Sequence, residues 1–321
     1  MSREIQRIVA TGPGKVELRQ EALNAAPLAA DEVAGTTVAS MISPGTEVQG
    51  TLHGNTFPRP LGYACVMRIE QVGSAVDKAR VGELAFCMGH HASRQRCRQD
   101  ALVVLPATLD PALACCARFM AVSMTTLATT AARPPSKVLV TGLGLVGHMA
   151  ARVFDACGYH VAALDLVASR RQRLAQSTRC VVMDQLPDEH DFDLVIDCTG
   201  HEQAVLDATG ALRKGGELVL IGVPWTRRAD VQAFDLLHRI FHDYIHVRSG
   251  WEWELPRQRG EFDKASIWDN LEAATRWLAQ GRVTAEGVYD IVAPAQCQQA
   301  YDRLMTPGAD PLTTVFDWTN A

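Results

Sequence analysis

Three glycines near the middle of the chain constrain its fold more than any other feature. Gly142, Gly144 and Gly147 form the pattern G-x-G-x-x-G directly after the apolar run 138–141 and at the start of a predicted helix. In such a loop the first glycine permits a tight turn, the second lets the backbone approach a diphosphate, and the third lets helix and strand pack closely. The segment therefore predicts a strand–loop–helix unit that binds a dinucleotide.

The residues after these glycines indicate which dinucleotide is bound. Leu145 and Val146 open the predicted helix, where free N–H groups attract phosphate. Asp165 ends the next predicted strand, where a carboxylate accepts the ribose hydroxyls and repels a 2′-phosphate. NAD(H) is therefore favoured, although Arg170 and its neighbour Arg171 can pair with the 2′-phosphate of NADP(H). The alternative interpretation is that Asp165 caps the next helix and that the glycines merely turn the chain.

The order of apolar runs divides the chain into two parts. Before Pro111, short runs are interrupted every several residues by Gly, Pro or Asp, which is typical of a small β-barrel. These predicted strands are 6–10, 16–19, 32–40, 65–72, 83–87 and 101–104. The breaker-poor stretch 112–132 then predicts one or two helices that lead out of the barrel.

From Lys137 onward, strands and helices alternate, which predicts a parallel sheet covered on both faces. The predicted strands are 138–141, 160–164, 192–197, 217–222 and 247–250, and the predicted helices are 145–157, 169–176 and 203–212. Helices at 267–280 and 294–304 and a strand at 313–317 follow. We therefore expect an α/β protein with a doubly wound Rossmann sheet in 123–250 and a barrel-like substrate domain from 1–122 and 251–321.

Composition restricts the partners and the compartment. A net charge of −5 without a long basic block disfavours nucleic acid, so we expect a small-molecule substrate. We see neither an apolar signal core at the start nor a run of membrane-spanning length, so no membrane partner is expected. The nine cysteines show irregular spacing and no C-x-x-C pair. These features predict a cytoplasmic protein.

These motifs together resemble the medium-chain dehydrogenase/reductase superfamily. The resemblance rests on the barrel-like part, the bridging helix, GLGLVG, the strand-ending Asp165, FDLVIDCTG and LRKGGELVLIGV, in that order. It implies a GroES-like substrate domain and hydride transfer with a nicotinamide cofactor. It further implies cofactor contacts from Thr199, Gly200 and Val223, and a homodimer paired around 244–249.

Zinc-binding members of the superfamily carry a cysteine before GTD, a histidine in GHE, and a carboxylate or cysteine on the bridging helix. The matching segments here are SPGTE (43–47) and GYA (62–64), and Arg118 stands on the helix. Since zinc needs soft or anionic donors, we expect no zinc and no other metal. SPGTE, GY and GHHAS (89–93) are loosely similar to the zinc-lacking 3-hydroxyethyl bacteriochlorophyllide dehydrogenases, which favours alcohol or ketone chemistry.

Without a metal, hydrogen-bond donors or a fixed cation must stabilise charge on the substrate oxygen. We predict that Tyr63 donates a proton to that oxygen, that Thr46 relays it, and that Arg118 stabilises negative charge and lowers the pKa of Tyr63. The residues predicted to contact substrate are Ser43, Glu47, His90 and His91. The alternatives are structural: Tyr63 fills the space of the missing metal, Thr46 and Glu47 brace the backbone, Arg118 pairs with Glu47, and the histidines are ordinary loop residues.

The leading interpretation is an NAD(H)-dependent secondary-alcohol dehydrogenase or ketone reductase. One rival is a zinc-independent enoyl or quinone reductase of the same superfamily, which would favour NADPH. The acid at Asp165 counts against that rival. The other rival is a protein that binds the dinucleotide without turning over a substrate.

Overall fold

The chain forms two units in the computed structural model, which describes residues 4–24, 26–306 and 308–320. The first unit contains the chain up to Arg118, Leu271–Gly281 and the residues from Gly287 onward. The second contains Phe119–Asn270 and Arg282–Glu286. The boundaries differ from the prediction, because 251–270 belongs to the second unit and not to the barrel-like part.

The strands form the two sheets of the first unit and the sheet of the second. They are β1 (Glu4–Gly12), β2 (Lys15–Ala22), β3 (Glu32–Met41), β4 (Arg59–Pro60), β5 (Cys65–Val72), β6 (Leu84–Cys87), β7 (Arg94–Arg98), β8 (Leu102–Val104), β9 (Lys137–Thr141), β10 (His160–Leu164), β11 (Val181–Met183), β12 (Phe192–Asp197), β13 (Leu212–Leu220), β14 (His246–Ser249), β15 (Tyr289–Val292) and β16 (Thr313–Asp317).

The helices lie mainly in the second half of the chain. They are α1 (Pro111–Cys115), α2 (Ala117–Thr129), α3 (Leu145–Ala156), α4 (Ala168–Ala175), α5 (Glu202–Thr209), α6 (Ala233–Asp243), α7 (Ile267–Ala279) and α8 (Cys297–Met305). Short 3₁₀ turns occupy Gln99–Ala101, Glu252–Glu254 and Pro294–Gln296, and a π-helical segment occupies Pro44–Leu52.

Two sheets build the first unit from both ends of the chain. One sheet has the order β2-β1-β4 and the other β15-β16-β3-β5-β6-β8, with β7 paired to β3. Side chains of β3 alternate between buried and half-buried, as in a strand with one face on a core. One core cluster includes Ile8 and Leu61 from the first half and Tyr301, Phe316 and Trp318 from the second. This architecture confirms the predicted barrel-like, GroES-like part.

A parallel six-stranded sheet forms the second unit. Its order is β11-β10-β9-β12-β13-β14, which is the 3-2-1-4-5-6 order of dinucleotide-binding folds. The order reverses between β9 and β12, whose last residues, Thr141 and Asp197, are paired. Ligands of such sheets bind beyond the carboxyl ends of the strands at this reversal. The predicted α/β class with a Rossmann sheet is confirmed.

The helical stretch Pro111–Thr129 is long and apolar enough to cross a membrane, which the sequence analysis did not expect. In the structure 72% of its apolar window is buried inside the protein. It therefore serves as a core helix, because the protein interior covers the apolar surface that lipid would otherwise cover.

The structure corrects several predicted element bounds. Strand β13 begins at Leu212, within the predicted helix 203–212, and the partner strand β12 shifts register between Phe192 and Leu194. Gly215 adopts a φ of 74° in this stretch, so the residues between the predicted helix and the predicted strand form an irregularity within one strand. The π-helical segment, helix α6 and four strands, β4, β7, β11 and β15, were not predicted; the four strands have only two to five residues each.

Candidate active site and cofactor loop

The three glycines of the loop have three different surroundings. Gly142 has a φ of 81°, a conformation that other residues rarely adopt. A Cβ on Gly147 would lie 1.8 Å from the carbonyl oxygen of Gly142, so only glycine fits there. A Cβ on Gly144 would meet no atom within 4 Å, and its φ of −70° is ordinary. The open space beside Gly144 is thus a cradle that a side chain would fill and that fits a diphosphate.

The start of α3 faces this cradle with unsatisfied donors. The helix begins at Leu145 directly after Gly144, and Gly144 provides no side-chain cap. The first N–H groups of a helix, here those of Leu145, Val146 and Gly147, have no acceptor within the helix. They can therefore donate to phosphate oxygens, which fits the role predicted for them.

Asp165 ties the end of β10 to the glycine loop. Its carboxylate is buried and accepts the N–H of Leu143 at 2.6 Å and that of Val167 at 2.8 Å. Arg170 lies beside it, with Nη1 at 3.4 Å from Oδ2. The acid predicted to bind ribose and the arginine predicted to reach a 2′-phosphate are therefore adjacent. The bond to Val167 shows that Asp165 also braces its own turn.

His148 was missed by the sequence analysis, and it contacts the backbone of Arg170, the residue beside Asp165. The ring is fully buried, and its Nε2 lies 3.1 Å from the carbonyl oxygen of Arg170. Burial, followed by the charge of Arg152, lowers the pKa of His148 to about 3. The neutral ring therefore donates to Arg170 and fixes the backbone that carries it. Only its place after Gly147 could have drawn attention to it.

A second strand-ending acid, Asp197, was also missed. It is fully buried and accepts the hydroxyls of Thr141 at 2.9 Å and Thr199 at 2.6 Å, as well as the N–H of Gly200 at 3.1 Å. It therefore shapes the loop in which two of the predicted cofactor contacts lie. Val223, the third of these predicted cofactor contacts, follows β13 and is 50% exposed. An acid that ends an apolar strand was the available signal, as it was for Asp165.

Three hydroxyls converge in the first unit, and we call Ser43, Thr46 and Tyr63 the hydroxyl cluster. The phenol of Tyr63 donates to Ser43 Oγ at 2.5 Å and lies 3.1 Å from Thr46 Oγ1. The guanidinium carbon of Arg118 lies 4.8 Å from the centroid of the Tyr63 ring, a cation–π contact. The structure thus brings together all three residues predicted to be catalytic, together with Ser43.

The prediction that Arg118 brings the pKa of Tyr63 down to the working range is wrong in its net direction. Burial raises the pKa of the Tyr63 phenol above its usual 10.0. Arg118 and the hydrogen bonds from the hydroxyl cluster act in the opposite direction, and the nearby Glu47 raises the pKa further. The phenol is therefore protonated at neutral pH, and it can act as a hydrogen-bond donor.

Glu47 and His91 are interior residues, which corrects the prediction that they contact substrate. They are 2% and 0% exposed. Glu47 Oε1 accepts the N–H of Ser43 at 2.7 Å, and Oε2 accepts the phenol of Tyr301 at 2.5 Å and lies 3.1 Å from His91 Nε2. Burial, followed by Glu47, raises the pKa of Tyr301, which keeps its proton in this bond. Tyr301 is 254 residues from Glu47 in sequence, so no local pattern could have revealed it.

His90 has a different position from its neighbour. Its side chain is exposed, and Nδ1 lies 3.0 Å from the carbonyl oxygen of Gly62. Partial desolvation of the ring lowers the pKa of His90, which favours the neutral form at physiological pH. A substrate contact by His90 stays a prediction.

Whether zinc fits depends on the donor atoms in the segments that correspond to the zinc-binding segments of the superfamily. The residues that meet there supply the hydroxyls of Ser43 and Thr46, the phenol of Tyr63 and the guanidinium of Arg118. Zinc in proteins takes thiolate, imidazole or carboxylate ligands, and a neighbouring guanidinium repels a cation. These residues do not fit a zinc ion.

Comparison with known proteins finds similarity to dehydrogenases. Residues 146–251 match the family model described as zinc-binding dehydrogenase. A 134-residue stretch, 37% of this chain, is 31% identical to L-galactonate-5-dehydrogenase of Escherichia coli K12. That alignment spans 39% of the relative, so the chain matches about two fifths of its length.

Solved structures match along the whole chain at low identity. Galactitol-1-phosphate dehydrogenase from Escherichia coli has a TM-score of 0.81 and 16% identity, with 97% of this chain and 99% of that chain covered. Acetophenone reductase from Geotrichum candidum, in complex with NAD, has a TM-score of 0.80 and 17% identity, with 100% and 99% covered. Other matching structures hold NADH or NADP.

These findings define the fold. The fold is that of the medium-chain dehydrogenases and reductases, and the matched segment contains most of the cofactor-binding unit. The named relatives are dehydrogenases and reductases, which move a hydride between a substrate and a nicotinamide.

Proposed function

We propose that this chain is a zinc-independent, NAD(H)-dependent oxidoreductase that interconverts a secondary alcohol and a ketone. The hydroxyl cluster beside Arg118 carries this proposal, because Tyr63 and Arg118 stand at two positions that the resemblance assigns to zinc ligands and the hydroxyls of Ser43 and Thr46 flank the third. Such groups stabilise charge on a substrate oxygen without a metal. The loose similarity to bacteriochlorophyllide dehydrogenases supports this chemistry but names no substrate.

The roles within the cluster follow from protonation. Tyr63 keeps its proton at neutral pH and donates it to the carbonyl oxygen in the reducing direction. Thr46 and Ser43 hold the phenol in place, and Thr46 can return a proton to it. The charge of Arg118 stabilises negative charge that develops on the phenol. The bound nicotinamide supplies the hydride in reduction and accepts it in oxidation, so the alcohol loses one hydride and one proton overall.

NAD(H) is the proposed cofactor. Support comes from the cradle beside Gly144 and from Asp165 at the end of β10, where the ribose hydroxyls of NAD(H) find an acceptor. Arg170, 3.4 Å from that acid, is the group that would accommodate NADP(H), which we propose as the weaker cofactor.

Metal removal tests the zinc-independent part of the proposal. We expect that dialysis against 1,10-phenanthroline leaves ketone reduction unchanged, because no step uses a zinc ligand. Elemental analysis of the active protein should find far less than one zinc per chain. A zinc-dependent alcohol dehydrogenase treated in parallel is the control and should lose activity. Loss of activity here, with recovery on adding zinc, would contradict the proposal.

A substrate panel separates the rival functions. Ketones, secondary alcohols and enones are each offered with NADH and with NADPH. Preference for ketones with NADH supports the proposal, whereas preference for enones with NADPH indicates an enoyl or quinone reductase. Binding of NADH without turnover of any compound would indicate a non-catalytic dinucleotide-binding protein.

A cytoplasmic homodimer completes the proposal. All nine cysteines are free, which suits a reducing compartment. Within the described ranges β14 pairs on one side only, with β13, so its outer edge can pair with a second copy. The preceding helix α6 exposes Phe234, Leu237 and Phe241 at 69%, 62% and 75%. Such a patch on a surface is typical of an interaction site.

Analytical ultracentrifugation tests the dimer. We expect twice the chain mass for the wild type and a single-chain mass for Phe241→Asp, because a buried unpaired carboxylate opposes association. Phe262→Asp is the matched control, since Phe262 is 92% exposed in the same unit but lies outside α6. A wild-type monomer, or dissociation of both variants, would contradict an interface at α6 and β14.

A further inference from the structure

The backbone that carries Tyr63 rests on the ring of His91. Gly62 directly precedes Tyr63 and has a φ of 94°. A Cβ on Gly62 would lie 2.5 Å from the backbone nitrogen of His91 and 2.7 Å from its ring carbon Cγ. The N–H of His91 also donates to the carbonyl of Leu61 at 2.8 Å. The histidine therefore fixes the peptide from which the phenol projects.

The same ring reaches the other half of the hydroxyl cluster through a carboxylate. Nε2 of His91 lies 3.1 Å from Oε2 of Glu47, and Oε1 of Glu47 accepts the N–H of Ser43 at 2.7 Å. Ser43 is the residue whose hydroxyl accepts the proton of Tyr63. The imidazole of His91 thus connects Tyr63, which donates the hydrogen bond to Ser43, with Ser43, which accepts it.

The hydrogen bonds of the ring define its tautomer. Ser40 Oγ accepts the indole N–H of Trp318 at 2.8 Å and lies 2.7 Å from His91 Nδ1. Because a carboxylate can only accept, Nε2 carries the proton toward Glu47, and Nδ1 of the neutral ring accepts the hydroxyl proton of Ser40. Ser40 and His91 are 0% exposed and Trp318 is 2% exposed. Both ring nitrogens are satisfied, so the orientation of the ring is fixed.

We infer that His91 is a positioning residue for hydride-transfer chemistry at the hydroxyl cluster, acting through Gly62 on Tyr63 and through Glu47 on Ser43. The inference rests on the proposed function, since positioning matters only if Tyr63 donates to substrate. It replaces the direct substrate contact that the sequence predicted for His91. The geometry it maintains is the 2.5 Å bond from the phenol to Ser43 Oγ.

Substitution at two sites tests this inference in the full-length protein. His91→Gln keeps an amide donor toward Glu47 but loses the ring, and Ser40→Ala removes the bond to Nδ1 with little change in volume. We expect kcat to fall by about 10- to 100-fold for His91→Leu, because small misplacements of a reacting group cost rate on this scale. The kcat values of His91→Gln and Ser40→Ala should lie between that of His91→Leu and that of the wild type. The affinity for NADH should not change, since the cofactor loop lies in the other unit.

A double-mutant cycle separates positioning from general structural damage. The loss of kcat caused by each variant is measured again in the Tyr63→Phe background, and it should shrink to a factor close to one because the positioned group is gone. Gln298→Met is the control. Gln298 bonds the backbone at Gly14 and Val16 in the same unit, so its loss should lower the melting temperature without changing kcat.

The outcomes are distinct. Equal losses in both backgrounds would mean that His91 acts only through stability, which overturns the inference and leaves the proposed function standing. If Tyr63→Phe alone retained wild-type turnover, the proposed role of Tyr63 would fail, and the inference would fail with it. If both His91 variants fold poorly, Ser40→Ala still tests the inference, because it removes a single hydroxyl.

Discussion

Replacing Tyr63 with phenylalanine is expected to lower kcat for ketone reduction by about 10²–10⁴-fold, the usual contribution of a general acid. The variant loses only the phenolic oxygen, so the ring contact with Arg118 is retained and the hydrogen bonds to Ser43 and Thr46 are lost. Stability should fall by about 1 kcal/mol for each bond at most. The affinity for NADH should not change. Steady-state kinetics and NADH titration provide the two measurements.

The matched control for this variant is Tyr159→Phe. Tyr159 is buried in the second unit, and its phenol donates to the carbonyl of Ala132 at 3.1 Å. This change also removes a buried phenolic hydrogen bond, so it imposes a similar kind of stability loss without touching the hydroxyl cluster. We expect near-normal kcat from it. Near-normal kcat from Tyr63→Phe as well would remove Tyr63 from the mechanism.

The pH dependence follows from the raised pKa of Tyr63. Burial disfavours the phenolate, so the proton donor persists as the pH rises from about 7 to about 9, and the rate of ketone reduction should not fall over this range. Alcohol oxidation runs in the opposite direction and must release a proton, so its rate should rise over the same range. A loss of reduction that follows one ionisation near pH 7 would indicate a phenol whose pKa is lowered, contrary to the structure.

The cofactor-binding unit was predictable because its signals are local in sequence. The glycine loop, the helix start and Asp165 lie within one strand–helix–strand segment, and each residue type has a steric or electrostatic reason for its place. The structure reproduces the steric reasons, from the positive φ of Gly142 to the open space beside Gly144. Asp197 could have been predicted in the same way, since it ends the neighbouring strand of the sheet.

The support of the hydroxyl cluster was not predictable, because it depends on residues far apart in sequence. Ser40, His91, Tyr301 and Trp318 come from four different segments that only the folded first unit brings together. The exposure of a histidine is also invisible in the sequence: adjacent His90 and His91 differ completely, one exposed and the other fully buried. Local patterns therefore identified the residues of the glycine loop and the hydroxyl cluster better than the residues that support them.

Replacing Gly144 with valine is expected to abolish dinucleotide binding while leaving the fold intact. The backbone at Gly144 has an ordinary φ of −70° and ψ of −171°, and an added Cβ meets no protein atom within 4 Å. The added methyl groups instead occupy the cradle and keep the diphosphate away from the N–H groups of α3. Losing two charge-assisted hydrogen bonds of about 1.5–3 kcal/mol each would weaken binding by about 10²–10⁴-fold. Calorimetric titration with NADH measures this loss.

Two other glycines distinguish a blocked ligand site from a damaged fold. Gly12→Val adds the same side chain in β1, where a Cβ lies 3.8 Å from the nearest atom, Lys15 Cδ, so stability and NADH affinity should both match wild type. Gly147→Ala should lower the melting temperature, since its Cβ would lie 1.8 Å from the backbone of Gly142. Gly144→Val should be as stable as Gly12→Val but should lose cofactor binding. If it bound NADH with wild-type affinity, the diphosphate could not lie beside Gly144, and the cofactor assignment of this loop would have to be abandoned.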